Sequence, residues 1–385
     1  MHVTLVTSAF LHPERAAQPG VRRYSTELVR ALLHRGIAVR VVIPAADDGT
    51  EESMAGVEIC RLRSLRNSFG ALASLGQAGL LSFGSRLAKA TPLMRDTDLV
   101  HATVPLLVVD ALRRIRPVLA FGHHVERIRE IPDLLTVPFG NSYGSYTYRR
   151  ADAVAVPSEA AAAQMTRRFG VPRAKLQVIP HGIEASTFYP EKIPFEPMHR
   201  TDRRTVLYVG PLTARKNVLA LVQAFEHLVA SAGDVQLAIV GRGPLEERID
   251  RMAAGPALRG KVRRFEKLSD DQLRQAYSSA DVFVSASLDE GFGFAAVESM
   301  ACGTPVVALD TAVNREVLGD AGLLVHDASP LGLADAIRGV LENPEVADGL
   351  ARRGRARVER QYSWSVAAER YERLYRRLIE MRAGS

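Results

Sequence analysis

Cysteine is almost missing: Cys60 and Cys302 are the only two in 385 residues. Two thiols so far apart support neither a disulfide framework nor a cysteine-ligated metal cluster, and they suit a reducing, cytoplasmic setting. Long apolar runs are missing too, since none approaches the roughly 18 to 20 residues that would span a bilayer. The opening MHVTLVTSAF has no basic leader and no small-residue cleavage site, and reads as a first strand. Aromatic residues make up only 6% of the chain. The basic residues are not interleaved with them, which argues against a nucleic-acid partner. After the first strand, TSAFLHPERAAQPG lacks the Gly-x-Gly-x-x-Gly of an NAD-dependent enzyme. No Ser-His-Asp or Cys-His arrangement is readable.

Charge is present but unevenly placed. Residues 1–190 hold 23 Lys/Arg against 16 Asp/Glu, and the remainder holds 27 against 27, so the net +7 belongs to the first half. From Arg61 to Arg95 there are six basic residues, Arg61, Arg63, Arg66, Arg86, Lys89 and Arg95, and no acid. That stretch is either a solvated surface or a seat for an anionic partner, a phosphorylated acceptor or an acidic membrane face.

Short β-branched runs alternate with amphipathic stretches throughout. In the first half, HVTLVTSAF, AVRVVIP, VEICRL, DLVHATV, PVLAFG, AVAVPS and LQVIPHGI read as strands, with a helix through ELVRALLHRG ending at Gly36. A second series, TVLYVG, QLAIVG, VRRF, DVFVSAS, TPVVALD and AGLLVH, is separated by helical stretches such as VLALVQAFEHLVA and DDQLRQAYSSA. The fold class is therefore α/β, with two Rossmann-like, doubly wound parallel sheets. The Pro- and charge-rich EKIPFEPMHRTDRR reads as a linker, giving domains at 1–190 and 191–362. A last amphipathic helix follows at 363–385. Open α/β sheets bind ligands beyond the carboxyl ends of their strands, so two facing sheets predict a ligand cleft between domains.

The stretch DEGFGFAAVESMACGTPVV, Asp289 to Val307, carries the chemistry. It lies between two strands, and FAAVESMA has helical composition, so Gly291-Phe292-Gly293 is expected to be a strand-to-helix turn. Backbone N–H groups of such a turn, with the helix N-terminus, form an anion site suited to a diphosphate. Glu298, one turn into the helix, would reach a ribose diol, and Glu290, ahead of the turn, a hydroxyl-bearing group on the other side.

Glu290 and Glu298 have the spacing of the E-x7-E signature, and the stretch resembles that of the retaining GT-B glycosyltransferases of family 4. VGPLTARKN is similar to the family's glycine-lysine loop, and VIPHGIEASTFYP to its interdomain segment, with His181 and Glu184 where Asn and Asp are usual. AVAVPSEA, DLVHA and the late SW also match, so the resemblance covers almost the whole chain. It implies transfer of a sugar, a hexose of mannose or glucose type, from a nucleotide-diphosphate donor to an acceptor hydroxyl, without a metal or other cofactor. Glu298 would bind ribose and Glu290 the transferred sugar. Phe292, Gly293 and Phe294 would offer N–H groups, and Lys216 would neutralise the departing diphosphate. Gly210 opens the glycine-lysine loop. Pro211 follows it where the family often has Arg, so Arg215 is the candidate replacement. Gly20 falls in a glycine-rich turn expected ahead of the first helix, with Pro19 in place of a first glycine. His123, with His124 as alternative, matches the active-site histidine. The base is expected near Arg264 to Lys267, around Phe265. The last helix would return to the N-terminal domain. The acceptor would be anionic or lipid-linked, and the 61–95 region would give peripheral contact with the inner face of a membrane.

Asp96-Thr97-Asp98 is formally an Asp-x-Asp, yet it precedes the strand LVHATV and reads as a turn. His101 reads as a packing or anchoring residue. Two other functions keep the architecture: a nucleotide-sugar epimerase, and a non-catalytic nucleotide-sugar-binding protein. The latter gives no reason for a lysine beside the phosphate turn.

Overall fold

The structure, a computed structural model, describes residues 1–7, 10, 19–44, 53–62, 87, 91–104, 106, 108–122, 142, 144–198, 202–232 and 234–384. The chain divides into two compact units, Met1–Gly182 with Trp364–Ser385, and Ile183–Ser363.

Unit 1 is built on β1 (His2–Val6), β2 (Ala38–Pro44), β3 (Val57–Leu62), β4 (Leu99–Ala102), β5 (Val118–Phe121), β6 (Ala153–Val156) and β7 (Leu176–Val178). They form one sheet in the order β3-β2-β1-β4-β5-β6-β7, every pair parallel. β4, β5 and β6 are buried at every position, as expected of parallel strands with both faces covered. Helices α1 (Pro19–His34), α2 (Val109–Arg113) and α3 (Glu159–Phe169) belong to this unit. Gly20 corrects one expectation. It is not in a loop ahead of the helix but in the helix's first turn, because Pro19 has a preset φ and lacks an N–H that the first turn could not use anyway.

Unit 2 holds β8 (Arg204–Val209), β9 (Val235–Val240), β10 (Val262–Phe265), β11 (Val282–Ser285), β12 (Val306–Leu309) and β13 (Leu323–Val325). These lie in the order β10-β9-β8-β11-β12-β13, again all parallel. Between and after them run α4 (Val218–Ala232), α5 (Glu246–Ala253), α6 (Asp270–Ser279), α7 (Phe294–Ala301), α8 (Ala312–Leu318), α9 (Pro330–Glu342) and α10 (Pro344–Gln361). The strand order turns back between β8 and β11, which makes their carboxyl ends the topological switch point where ligands bind in such sheets.

The first passage between units falls at Gly182–Ile183, ahead of the 191–204 stretch that reads as linker. The reason is packing: Phe188, Phe195 and Met198 are buried, and Phe188 and Phe195 meet Tyr277 and Phe265 edge to face. Ile183 N–H donates to Tyr362 O at 2.5 Å, so the outgoing and returning chain run side by side there.

α11 (Trp364–Ala383) packs on α1, in the same apolar cluster as β1, β4 and β5. Its buried face is Trp364, Ala367, Ala368, Tyr371, Leu374, Tyr375 and Leu378. A buried polar chain fastens it: Tyr24 donates its hydroxyl to that of Tyr371 at 2.7 Å, and His101 Nδ1 lies 2.7 Å from the Tyr375 hydroxyl. Burial pushes all three phenols above their ordinary range, so they stay protonated and able to donate. No helix among the described residues is long and apolar enough to cross a membrane. Replacing Tyr371 by Phe keeps the ring and removes one buried bond. We expect a loss of about 1 kcal/mol and a fall of about 2–4 °C in the unfolding midpoint; an unchanged midpoint in a thermal melt would mean the hydroxyl contributes nothing.

Candidate active site

Two loops meet at the switch point of unit 2. The loop after β8 runs from Gly210 through a 3-10 turn, Ala214–Lys216, to α4. Asn217 ends that turn at φ +53°, the one non-glycine residue with positive φ among the described residues. Asparagine tolerates this conformation, and its carbonyl accepts the Ala220 N–H at 3.1 Å as α4 begins. Arg215 and Lys216 are thereby held just before the helix.

The loop after β11 runs through Ser287, Asp289 and Glu290 to the Gly291-Phe292-Gly293 turn and α7. Gly293 sits at φ +86° as the residue capping α7, which an L side chain resists. Phe292 is buried and meets Phe294 and Tyr362 edge to face at 5.4 and 5.5 Å. Gly291, Gly293 and Phe294 are half-buried. The turn is pinned by its aromatic side chains.

Four contacts stitch the loops together. Lys216 Nζ donates to Glu290 Oε1 as an ion pair. Arg215 Nη1 donates to Asp289 O at 2.7 Å and stands 3.6 Å from Glu290 Oε2. Leu288 N–H donates to Arg215 O at 3.1 Å. The Glu290 side chain is 11% exposed and that of Lys216 15%. Burial alone would push the Glu290 carboxyl up. The charges of Lys216 and Arg215, with hydrogen bonds from Lys216 and Ser287, outweigh it and hold the group below the usual carboxylate range. Burial, then the Glu290 charge, pushes the Tyr208 phenol up, and its hydroxyl donates to Pro211 O at 2.9 Å. The Thr213 hydroxyl is buried without a hydrogen-bond partner among the described residues, a polar atom suited to a ligand.

Glu298, in the middle of α7, is 2% exposed and accepts the Tyr277 hydroxyl on Oε2 at 2.9 Å. Of the other expected residues, Gly210 opens the lysine loop and donates to Val240 O at 2.9 Å. Phe265 stands half-buried at the end of β10, two strands from β8, with Arg264 beside it bonded to Asp250 and Glu246. Gly20 lies in unit 1, and His123 and His124 lie outside the described residues, as does most of 61–95. His181 is buried among Tyr24 and Phe121. The Asp-x-Asp pair is occupied elsewhere: Asp96 grips Arg40, whose bonds hold its carboxyl down to about 2, and Asp98 accepts the His2 N–H. No group of three His, Cys, Asp or Glu among the described residues could hold a metal.

Sequence reasoning missed Ser287, Tyr208, Thr213 and Tyr277. Only Thr213, inside VGPLTARKN, sat in a stretch read as part of the site; Tyr208, Ser287 and Tyr277 fell in TVLYVG, DVFVSAS and DDQLRQAYSSA, which read as strand or helix alone.

Two parallel α/β units, one with a lysine-carboxylate pair and a glycine turn at its switch point, have the architecture of the GT-B fold. A family profile described as Glycosyltransferase Family 4 matches residues 19–187, and one described as Glycosyl transferases group 1 matches 190–357. The phosphatidyl-myo-inositol mannosyltransferase of Mycolicibacterium smegmatis is 38% identical over 201 residues, 51% of this chain and 50% of that one. The match therefore spans about half the length of that relative. The sucrose-phosphate synthase of Thermosynechococcus elongatus superposes over 100% of both chains with a TM-score of 0.83 at 25% identity. Anabaena HepE, solved with UDP and glucose, has the same fold: TM-score 0.76, 18% identity, 98% of this chain and 100% of that one. The chain belongs to the group 1, family 4 glycosyltransferases.

Because the folded-state carboxyl of Glu290 titrates below its ordinary value, its stabilisation is complete above about pH 4.3. It is lost as pH falls through the lower, folded value. Glu290→Gln should cost about 2 kcal/mol at pH 7, and the gap to the parent should close as pH drops below about 4. Denaturant titrations at a series of pH values test this; a constant gap would show that the charge of Glu290 does not stabilise the fold.

Proposed function

We propose that the protein is a retaining glycosyltransferase that moves a hexose from a nucleotide-diphosphate donor to an acceptor hydroxyl without a metal ion. The observation that carries this reading is the half-buried Lys216–Glu290 pair beside the Gly291–Gly293 turn, at the carboxyl ends of β8 and β11. An ammonium group next to main-chain donors at a helix N-terminus suits a diphosphate, and stabilising the charge that grows on a leaving group is commonly the largest part of catalysis. Lys216 then neutralises the departing diphosphate and Glu290 accepts hydroxyls of the transferred sugar. Glu298 accepts the ribose hydroxyls, and the main chain of Phe292, Gly293 and Phe294 lines the phosphates. Gly210 and Arg215 shape the same loop pair, and the base lies toward Phe265.

In the reaction the bond from C1 of the sugar to the diphosphate oxygen breaks. A bond from C1 to the acceptor oxygen forms on the same face, and the acceptor's proton passes to the departing diphosphate. Family membership supports that stereochemistry. The names of the relatives and structural neighbours favour a uridine diphosphate donor and a polyol acceptor that carries phosphate. On this reading His123 and Gly20 belong to the donor's surroundings, and the protein works in the cytoplasm, with the basic 61–95 stretch touching an acidic membrane face.

The test is release of nucleoside diphosphate from a panel of nucleotide sugars with polyol and phosphorylated polyol acceptors, the anomer of the product being read by NMR. Lys216→Ala should lower kcat by about 10²–10³ while still binding nucleotide, and EDTA should leave the rate unchanged. Turnover at the parental rate in Lys216→Ala, or an inverted product, would sink the reading.

A further inference from the structure

The tail of the turn-helix stretch, Cys302-Gly303-Thr304-Pro305, has no part in the chemistry above. It ends α7 in a double reverse bond: Gly303 N–H donates to Met300 O at 3.1 Å and Thr304 N–H to Ser299 O at 3.0 Å, with Gly303 at φ +77°. Thr304, so placed, is 3% exposed and donates its hydroxyl to the main-chain carbonyl of Tyr277 at 2.6 Å. Tyr277 belongs to α6 and is fully buried, edge-on to Phe188 and Phe283 with ring centroids 6.1 and 5.8 Å away. Its hydroxyl then reaches Glu298 Oε2 at 2.9 Å. α6 and α7 are thus bolted together twice through one residue, at its carbonyl and at its phenol.

We infer that Tyr277 is a positioning residue for the nucleotide's ribose: held by Thr304, Phe188 and Phe283, it locks the Glu298 carboxylate in the pose that accepts the ribose hydroxyls. The inference rests on the reading of Glu298 given above. A glutamate side chain is costly to order, and a hydrogen bond to an ionised acceptor is stronger than a neutral one. A carboxylate has about four lone-pair sites, so accepting the Tyr277 hydroxyl on Oε2 restrains the group and is compatible with accepting from a diol as well. Ordering the carboxylate before the ligand arrives removes that cost from binding.

Tyr277→Phe keeps the ring and removes only the donor. Isothermal titration of the whole chain with UDP and with GDP identifies the tighter nucleotide, which is then compared with its 2′,3′-dideoxy analogue. Tyr277→Phe should raise the ribonucleotide Kd about tenfold and the dideoxy Kd by less than about twofold. Donor KM should rise with kcat within about threefold. Glu298→Ala should weaken the ribonucleotide at least as much and spare the dideoxy form. If Glu298→Ala leaves ribonucleotide binding unchanged, the reading of the site itself fails. If Glu298→Ala weakens it but Tyr277→Phe does not, or weakens both nucleotides equally, the positioning role is overturned. Should Tyr277→Phe not fold, Thr304→Val, which frees the Tyr277 carbonyl and spares its ring, carries the same comparison: a loss confined to the ribonucleotide supports the role, and an equal loss for both refutes it.

Discussion

An ammonium group and a carboxylate set 74 residues apart in sequence hold the centre of unit 2 together: Lys216 and Glu290. Each is nearly out of solvent, and an isolated ion in that position costs several kcal/mol. Neither loop could keep its charge there alone. Pairing them fixes the lysine loop to the carboxylate loop, and the carboxylate loop leads directly into the Gly291–Gly293 turn. The ion pair therefore sets where the N-terminus of α7 stands relative to Lys216, and every donor contact proposed for unit 2 inherits that spacing. On the proposed reading the pair has a second consequence. Before an anion arrives, Glu290 balances Lys216, so the site need not admit a counter-ion to stay charged.

α6 serves two unlike purposes. On one side Tyr277 reaches into α7. On another, Arg274 packs over the Tyr189 ring at 4.6 Å, donates to Thr187 O at 3.2 Å and to Glu191 at 3.4 Å, and Ser278 and Ser279 accept the main-chain N–H groups of Glu191 and Phe195. The stretch just after the passage into unit 2 is in this way part of that unit's structure. The helix that supports the proposed ribose contact also anchors the incoming chain.

Why some of this was readable from sequence and some was not follows from the physics. The central strands showed because parallel strands covered on both faces must be apolar almost without interruption, and VLAF or AVAV admits few other readings. The turn of 291–293 showed because glycine on either side of a phenylalanine before a helical run has few uses. In the 191–204 stretch Pro and charge look the same whether a segment hangs loose or is bolted down, so the burial of Phe195 and Met198 was not legible there. The start of α1 misled because Pro-Gly marks a loop as readily as a first helical turn. Tyr277 left no signal at all. A tyrosine on the apolar side of an amphipathic helix reads as core, and the direction of its hydroxyl is a property of packing between helices, which no local pattern encodes.

The substitution of Pro211 for the cation usual after the loop glycine bears on how the leaving group's charge would be met. Pro211 cannot donate, and its carbonyl is occupied by the Tyr208 hydroxyl, which braces the loop instead. Arg215 does not supply the missing cation freely, since its guanidinium is engaged with Asp289 O and lies within reach of Glu290. A guanidinium bound to a main-chain carbonyl still contributes its full charge at short range, because a carbonyl is neutral. Arg215 can therefore lend field to the site without touching the phosphates. Across the two loops Arg215 and Lys216 stand against Asp289 and Glu290, so the formal charges balance, and the pair instead fixes where its two cations sit relative to the N-terminus of α7. Those two cations, fixed in place before any ligand binds, are what an anionic leaving group would meet there.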